Sequence, residues 1–308
     1  MEIGQSARGE NGGPPALFEG AAQIVGSPLE AVTARPGGDI NQAWNLRFRD
    51  GSQAFLKSRP GAPVIEFEAE AAGLKWLGEP GALPVPEVLG VVPTDQPGLL
   101  LEWIEPGGRL DAAGEAVFGS GLARIHRLEA DRFGQLPEGA PETDLKVGPV
   151  SLGSFLDRDT EHGFGPCYAR RLETLIGKAL DRNTIDSMQA AIIERLCGRI
   201  GEFAGPVEPP ARTHGDLWSG NVLIGADGRP WLVDPAAHGA HRELDLAMLA
   251  LFGAPSDRFL GSYREEFPLA PDFQERIELW QIQPLLIHAI LFGGPYGAAA
   301  TRAAGKYV

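Results

Sequence analysis

The chain has 308 residues, of which 43% are hydrophobic and 22% are charged, and its formal net charge is −14. This composition allows one large or two modest hydrophobic cores, and the acidic excess argues against nucleic acid or an anionic membrane as a partner, since both require a basic face. Two cysteines, Cys167 and Cys197, are too few for a disulfide scaffold and are expected to be buried thiols.

The N-terminal segment, residues 1–20, is polar and rich in glycine and proline. It lacks the apolar core of a secretory signal, so we expect a disordered start and a cytoplasmic protein. The most apolar late stretch, Leu279 to Gly294, is interrupted by two glutamines, a proline and a histidine and is too broken for a membrane span. No motif specifies an oligomeric state, and a monomer is compatible with the sequence.

Three short segments with β-type alternation follow, separated by turn-forming sequences, which predicts an antiparallel meander. The predicted strands are Ala31–Arg35, Ala43–Phe48 and Ala54–Arg59. Gly37 and Gly38 lie in the first connection, where glycine lets a backbone approach a phosphate closely.

Apolar residues at helical spacing predict the next helix from about Val64 to Leu77, with glutamates near its start. Two strands, Val88–Val92 and Gly98–Ile104, come after it, and the second ends in a Pro-Gly turn. Beyond about Gly108 the pattern becomes helical. The predicted helices are Asp111–Leu128, Tyr168–Leu180, Ser187–Phe203, Glu243–Leu251, Asp257–Glu266 and Asp272–Leu291.

The most informative stretch is His214-Gly215-Asp216-Leu217-Trp218-Ser219-Gly220-Asn221, followed by a hairpin pattern and Asp234. His-x-Asp with Asn five residues after the Asp is the spacing of a kinase catalytic loop. In that chemistry one carboxylate orients the attacking hydroxyl, while an amide and a second carboxylate hold Mg²⁺ against the ATP phosphates. Asp216 is therefore the candidate catalytic base, and Asn221 and Asp234 are the candidate metal ligands.

With a kinase catalytic loop, the N-terminal elements take on a nucleotide-binding role. Lys57 lies on the third strand, where a kinase places the lysine that contacts the phosphates, and Gly37 and Gly38 would form the loop above them. The strand that ends in Pro-Gly would be the hinge, where backbone groups of Leu101, Glu102 and Trp103 bind adenine. The sequence thus predicts an α+β bilobal fold, with an antiparallel sheet and helix in an N-lobe over 21–107 and a mainly helical C-lobe over 108–308.

The catalytic-loop motif, the Asp-Pro-Ala that begins at Asp234, and the segment from Gly239 to Gly253 resemble the fructosamine kinase (ketosamine-3-kinase) family, within the protein-kinase-like phosphotransferases. The motif Asp-Leu-Trp-Ser-Gly-Asn is much more specific to one family than the His-Gly-Asp motif, which aminoglycoside and choline kinases share. The resemblance covers most of the chain from about Thr33 onward.

This resemblance implies ATP-dependent phosphorylation of the 3-hydroxyl of a ketosamine, followed by decomposition of the product, as in deglycation repair. The family pattern Phe-x-x-Glu falls on Phe67 to Glu70 and implies that Glu70 pairs with Lys57, with Glu68 as the alternative. Trp218 is the candidate wall for the sugar, or else a core residue, and His214 is a second candidate substrate-binding residue.

The segment from Gln135 to Gly165 departs from the family, because it lacks the Asn-Phe-Ile-Gly and Gln-x-Asn patterns that help to build the acceptor side. Two alternatives therefore stay open. One is another small-molecule kinase of the same fold, acting on an aminoglycoside, choline or a different sugar. The other is a nucleotide-binding regulator without turnover, although such proteins usually lose at least one of the residues found here.

Overall fold

The computed structural model describes residues 13–36, 41–141, 144–153, 162–253 and 255–308. Its N-terminal lobe is built on a five-stranded sheet in the order β1-β2-β3-β5-β4, with every neighbouring pair antiparallel. The strands are β1 (Leu29–Arg35), β2 (Gln42–Phe48), β3 (Gln53–Ser58), β4 (Val88–Val92) and β5 (Gly98–Glu102). The predicted meander is thus present, and the hinge strand ends at Glu102 rather than at Ile104.

Two helices cover opposite faces of this sheet. Helix α1 (Pro15–Val25) buries Leu17 in a cluster that includes Leu100, whereas α2 (Val64–Gly78) packs against Leu99 and Leu101. Successive side chains of a strand point to opposite faces, and the leucines at 99–101 of β5 are all apolar because both faces of the strand are buried.

Helix α1 corrects the expectation of a disordered segment as far as residue 20. The helix begins at Pro15, where a proline at the first position costs no hydrogen bond, and Leu17 and Ala21 are fully buried. The sheet supplies the apolar partner for this short helix, which is why the local composition did not reveal it. The ordered part of the N-lobe therefore starts before residue 21.

The C-terminal lobe is mainly helical, which confirms the predicted bilobal α+β architecture. Its largest core contains the fully buried Trp280 and Tyr168, together with apolar residues from most helices of this lobe. A second core joins the lobes, because Trp76 and Leu77 of α2 pack with Leu122 of the C-lobe. The helices are α3 (Ala112–His126), α4 (Gly165–Asp181), α5 (Ser187–Cys197), α6 (Glu243–Leu249), α7 (Asp257–Glu266), α8 (Phe273–Phe292) and α9 (Tyr296–Ala304).

Three two-stranded ribbons carry the connections of this lobe. They are β6 (Leu145–Val147) with β7 (Val150–Gly153), β8 (Ala211–Thr213) with β11 (His238–Ala240), and β9 (Val222–Ile224) with β10 (Pro230–Leu232). The β9–β10 hairpin is the one that the sequence predicts between Asn221 and Asp234, whereas β6–β7 and α9 were not predicted.

Two further observations concern helix lengths. The predicted helix Ser187–Phe203 ends at Cys197 and is followed by a separate 3-10 turn, Ile200–Glu202. Across the described part of the chain, every helix is too short or too polar to cross a bilayer.

Candidate active site

Asp245 of α6 anchors the loop that carries Asp216. The carboxylate of Asp245 accepts hydrogen bonds from the backbone N–H groups of His214 and Gly215, at 2.7 and 2.9 Å. His126 lies 3.1 Å from the same carboxylate. Burial opposes ionisation of Asp245, but the hydrogen bonds and charges of His126 and His214 outweigh burial and lower its pKa. A buried, charged acceptor therefore fixes the start of the loop.

Gly215 marks the point where this loop meets the segment after Asp234. Its φ is +82°, and a Cβ atom there would lie 2.1 Å from the carbonyl oxygen of Ala236. Only glycine fits both the left-handed conformation and this approach. The two loops that carry the predicted catalytic and metal-binding residues are thus in direct contact.

Asp216 and Asn221 are tied together across the loop. The Asn221 amide donates to the backbone oxygen of Asp216 at 2.8 Å and to its carboxylate at 3.2 Å. Burial raises the pKa of Asp216 to about 7, and the negative charge of Asp234 adds to the shift. A carboxyl group with a pKa in this range suits proton transfer near neutral pH.

Asp234 follows the β9–β10 hairpin in a left-handed conformation, with φ of 55°. The Lys57 ammonium lies 2.9 Å from Asp234 and 2.6 Å from Glu70, although Lys57 itself is only 4% exposed. Burial disfavours the ammonium, but the two carboxylates outweigh burial and raise the pKa of Lys57. Lys57 is therefore cationic and links the N-lobe sheet, α2 and the Asp234 loop.

Glu70, rather than Glu68, is the glutamate of α2 that reaches Lys57, because Glu68 is exposed. Burial raises the pKa of Glu70 to about 7 even though the Lys57 charge opposes the shift. Its second oxygen, Oε1, is buried with no hydrogen-bond donor among the described residues. Glu66 instead binds Arg59 and, at 2.9 Å, Lys146 of β6, which connects the β6–β7 ribbon to the N-lobe.

The residues available to a metal ion are those that the sequence predicts. The Asn221 nitrogen is used by Asp216, which leaves its carbonyl oxygen as a ligand, and only Oδ1 of Asp234 contacts Lys57. The Asp234 side chain is 44% exposed. Mg²⁺ in kinases typically takes one or two protein oxygens and completes its shell with phosphates and water, so this small oxygen set fits.

These residues line one large cleft between the lobes, with a volume of about 820 Å³, within the range of small-molecule sites. Leu101, Glu102 and Trp103 border it on the hinge side. The backbone N–H of Glu102 already donates to the carbonyl oxygen of Glu87, at 2.8 Å. Hydrogen bonds to adenine at this strand would therefore have to come from other backbone groups. Gly37 and Gly38 lie outside the described residues.

The structure places the two predicted substrate-binding residues differently. Trp218 is 38% exposed and borders the cleft, and its ring packs edge-on against Phe252. His214 is fully buried, and its ring bonds the carbonyl oxygen of Val233 and the N–H of Asp216, at 3.0 and 3.3 Å. The expectation that His214 contacts substrate is therefore corrected, because both of its nitrogens are used to hold the loop.

A buried pair that sequence reasoning missed lies beneath the Asp234 loop. His238 donates through Nδ1 to the carbonyl oxygen of Ala236 at 2.7 Å and accepts from the Arg171 guanidinium at 2.9 Å. Burial and the charge of Arg171 lower the pKa of His238 to about 3, so the ring is neutral. No local pattern signals this pair, since its members lie on α4 and β11.

Comparison with known proteins places this geometry among small-molecule kinases. A family model described as fructosamine kinase matches residues 20–308. A relative from Lactiplantibacillus plantarum, described as a probable ketoamine kinase, is 31% identical over 288 residues, covering 93% of this chain and 97% of the relative. A chloroplastic protein-ribulosamine 3-kinase of Oryza sativa subsp. indica is 28% identical, over 95% of this chain and 82% of its own length.

The fold matches that of a solved structure with the same family description. The crystal structure of a candidate fructosamine-3-kinase from Thermobifida fusca superposes with a TM-score of 0.82 at 35% identity, covering 96% of this chain and all of the other. The cleft, its ion pairs and its loops are therefore set in a protein-kinase-like fold.

Proposed function

The chain belongs to the fructosamine kinase family, and we propose that it transfers the γ-phosphate of ATP to a sugar hydroxyl of a ketosamine. One observation carries this proposal: Asp216, Asn221, Asp234 and Lys57 border a single cleft. Phosphoryl transfer requires these groups, because it depends on positioning and on charge neutralisation more than on covalent chemistry.

Asp216 is the residue proposed to act on the acceptor. Its carboxylate is held by the Asn221 amide, so it can present one oxygen to a hydroxyl group and take up the proton as the new P–O bond forms. The same positioning removes much of the entropic cost of bringing a free hydroxyl to the phosphate. As this bond forms, the bond between the γ-phosphorus and the bridging oxygen of ATP breaks, and ADP leaves with that electron pair.

Asn221 and Asp234 are proposed to hold Mg²⁺ through their free oxygens. Bound Mg²⁺ would neutralise charge on the phosphates and reduce the repulsion between Asp234 and Asp216. Lower repulsion favours the ionised form of Asp216, which is the form that accepts a proton. The two carboxylates therefore have separate functions in spite of their proximity.

Lys57 and Glu70 are proposed to position the nucleotide. The ammonium is anchored by two carboxylates and is buried, so little side-chain entropy is lost when it contacts a phosphate. The apolar side chains of the hinge strand and the backbone of Leu101 to Trp103 would hold the base. A few local cations thereby offset the acidic net charge of the chain for an anionic substrate.

The acceptor is proposed to be a fructosamine or ribulosamine, and the role to be deglycation of amino acids or proteins. The relatives named ketoamine and ribulosamine kinases support this class. The unusual segment from Gln135 to Gly165 contributes the β6–β7 ribbon, of which Lys146 and Val147 border the cleft. The described part of that segment therefore borders the cleft, even though its sequence departs from the family pattern.

ADP release with a panel of acceptors tests the proposal. Fructosyl-lysine and ribulosyl-lysine should stimulate ADP release well above the ATPase background, and the product should carry the phosphate on the sugar. ADP release with choline, an aminoglycoside or a free sugar, but with neither adduct, would show that the protein is a kinase for a different acceptor. Mg-ATP binding without release for any acceptor would favour the regulatory alternative.

A further inference from the structure

Helix α8 is interrupted where it passes the acceptor side of the cleft. Pro284 has no N–H group, so the carbonyl oxygen of Trp280, four residues earlier, loses its helical partner. The Tyr168 hydroxyl takes over, since it lies 2.9 and 3.1 Å from the carbonyl oxygens of Leu279 and Trp280 and accepts from the N–H of Gln283 at 3.1 Å. An unfavourable proline is thus compensated from a neighbouring helix at one defined place.

A small recess lies beside this break and beside the proposed catalytic carboxylate. Its volume is about 20 Å³, enough for one hydroxyl group or one water molecule. Its walls include Asp216, Met248, Gln283, Ile287 and His288, and we call this set the acceptor recess. It shares Asp216, Ile287 and His288 with the large cleft.

Gln283 lines this recess and carries an unused hydrogen-bond acceptor. The side chain is 4% exposed, and its Oε1 is buried with no hydrogen-bond donor among the described residues. A buried amide oxygen without a donor costs stability, and such atoms are rare unless water or a ligand completes them. Gln281, two residues earlier, shows the usual arrangement, because its amide donates to the carbonyl oxygen of Ala247 at 2.9 Å.

His288 presents a second acceptor. Its Nδ1 lies 2.7 Å from the carbonyl oxygen of Pro284, which can only accept, so Nδ1 carries the proton. Burial lowers the pKa of His288, so the ring is neutral at pH 7 and Nε2 keeps its lone pair. The broken segment of α8 therefore carries two neutral hydrogen-bond acceptors and no charged side chain.

Aromatic rings extend from His288 to the mouth of the cleft. Trp218 contacts Phe252, and Phe252, Phe292 and Tyr296 each contact the His288 ring, with centroid separations from 5.1 to 5.7 Å. We call these five residues the aromatic wall. Three of them are exposed, Trp218 by 38%, Phe252 by 41% and Phe292 by 47%, and exposed rings grouped in a concavity are typical of a binding surface.

Charge divides the cleft. The cations that border it are Arg35, Lys57 and Arg59 of the N-lobe and Lys146 of the β6–β7 ribbon. Lys57, Arg59 and Lys146 are each paired with a glutamate, so the charge of Lys146, next to Val147 of the recess, is compensated. Among the described residues that line the acceptor recess or form the aromatic wall, none is lysine or arginine. Aromatic faces attract cations, and neutral acceptors bind hydroxyl and ammonium protons, so this side is unsuited to a carboxylate.

We propose that Gln283 and His288 accept hydrogen bonds from the acceptor's hydroxyl groups, and that the aromatic wall binds its protonated amine and disfavours a carboxylate beside that amine. This inference rests on the proposed ketosamine kinase activity and specifies how that site selects its substrate. Adducts on a lysine side chain or on an uncharged amine are then favoured over adducts on the α-amino group of a free amino acid.

The first experiment separates a ligand-binding glutamine from a structural one. Gln283→Met keeps the shape and removes the unpaired amide, so it should leave the melting temperature unchanged or raised while the KM for fructosyl-lysine rises about tenfold and the KM for ATP stays constant. The matched control Gln281→Met removes a satisfied amide and should lower the melting temperature without changing the acceptor KM. His288→Phe keeps the ring contacts and should also raise the acceptor KM alone.

The second experiment measures charge selectivity with fructosyl-glycine and fructosyl-glycinamide, which differ only in the carboxylate. The amide should have the higher kcat/KM by about tenfold, the effect of one favourable cation contact weakened by a nearby anion. Equal or better use of fructosyl-glycine would overturn the proposed selectivity.

The outcomes distinguish this inference from the activity on which it rests. Turnover of fructosyl-lysine with an unchanged acceptor KM in both Gln283→Met and His288→Phe overturns the inference and leaves the kinase activity in place. A wild-type protein that phosphorylates no fructosyl or ribulosyl adduct removes the proposed function and the inference together.

Discussion

The two halves of the cleft are built from different interactions. On the side proposed for the phosphates, Lys57 is buried and forms ion pairs with both Glu70 and Asp234. On the acceptor side, the aromatic wall and the recess around Gln283 rely on ring contacts and unused acceptors. We propose that one half binds the anionic phosphates, and the other hydroxyl groups and a cation.

This difference means that the residues proposed for phosphoryl transfer and those proposed for acceptor binding lie on separate sides of the cleft. Charge-assisted contacts are strong and depend on geometry, so the phosphate side tolerates few changes. Ring and van der Waals contacts can be rearranged at lower cost, so one fold can serve different acceptors. Substitutions on the two sides should therefore affect different kinetic constants.

The largest effect is expected at the junction of the two halves. Asp216→Asn should lower kcat by roughly 10²- to 10⁴-fold, because the amide cannot accept the hydroxyl proton. The dissociation constant for ATP should change by less than about threefold, since the carboxylate acts on the acceptor. Steady-state kinetics and calorimetric titration measure the two quantities, with Asp227→Asn in the exposed hairpin turn as the control. Near-normal turnover in Asp216→Asn would remove the residue from its proposed role.

Lys57→Met should impair the use of ATP without affecting acceptor binding. Loss of the buried ammonium leaves Glu70 and Asp234 without a shared cation, so kcat/KM for ATP should fall about 30- to 100-fold, in line with a cost of about 2–3 kcal/mol. The acceptor KM should stay within about twofold. Lys75→Met on the exposed side of α2 is the control. A larger change in acceptor KM than in ATP KM would contradict the division of the cleft.

The buried His238 beneath both loops predicts a pH dependence of stability. Its pKa in the folded protein, about 3, is below the ordinary value of 6.5, so below pH 6.5 the unfolded chain binds a proton that the folded protein does not. The free energy of unfolding should therefore fall by about 1.4 kcal/mol per pH unit from this group as the pH drops from 6.5 toward 4. Urea unfolding of the wild type and His238→Gln at pH 7.5 and 5.0 measures it. Parallel curves for the two proteins would show that His238 does not titrate on unfolding.

The smallest effect is expected from a substitution in the aromatic wall. Trp218→Ala should raise the KM for fructosyl-lysine by about three- to tenfold, because it removes one ring of the aromatic wall. The KM for ATP should not change, and the melting temperature should change little since the side chain is 38% exposed. Equal effects on both KM values would mean that Trp218 supports the loop rather than the substrate.

Much of the fold could be predicted from the sequence, because the elements concerned are determined by local patterns. The β-type pattern placed β2 and β3 to within one residue, an apolar run placed β5, and the predicted bounds of α2 and α7 agree with the structure to within one residue. Elements whose apolar partner lies elsewhere were missed. Helix α1 depends on the sheet that it covers, and the β6–β7 ribbon lies in a segment with no clear alternation.

The sequence by itself determined that Asp216, Asn221 and Asp234 lie close together, since the spacing from Asp216 to Asn221 and the hairpin before Asp234 are local features. Only the tertiary structure decided the rest. The burial of His214, the pair of Arg171 with His238, and the recess that both Gln283 and Asp216 line all depend on residues far apart in the chain. Such contacts depend on packing, and packing leaves no periodic signal at the residues that it brings together.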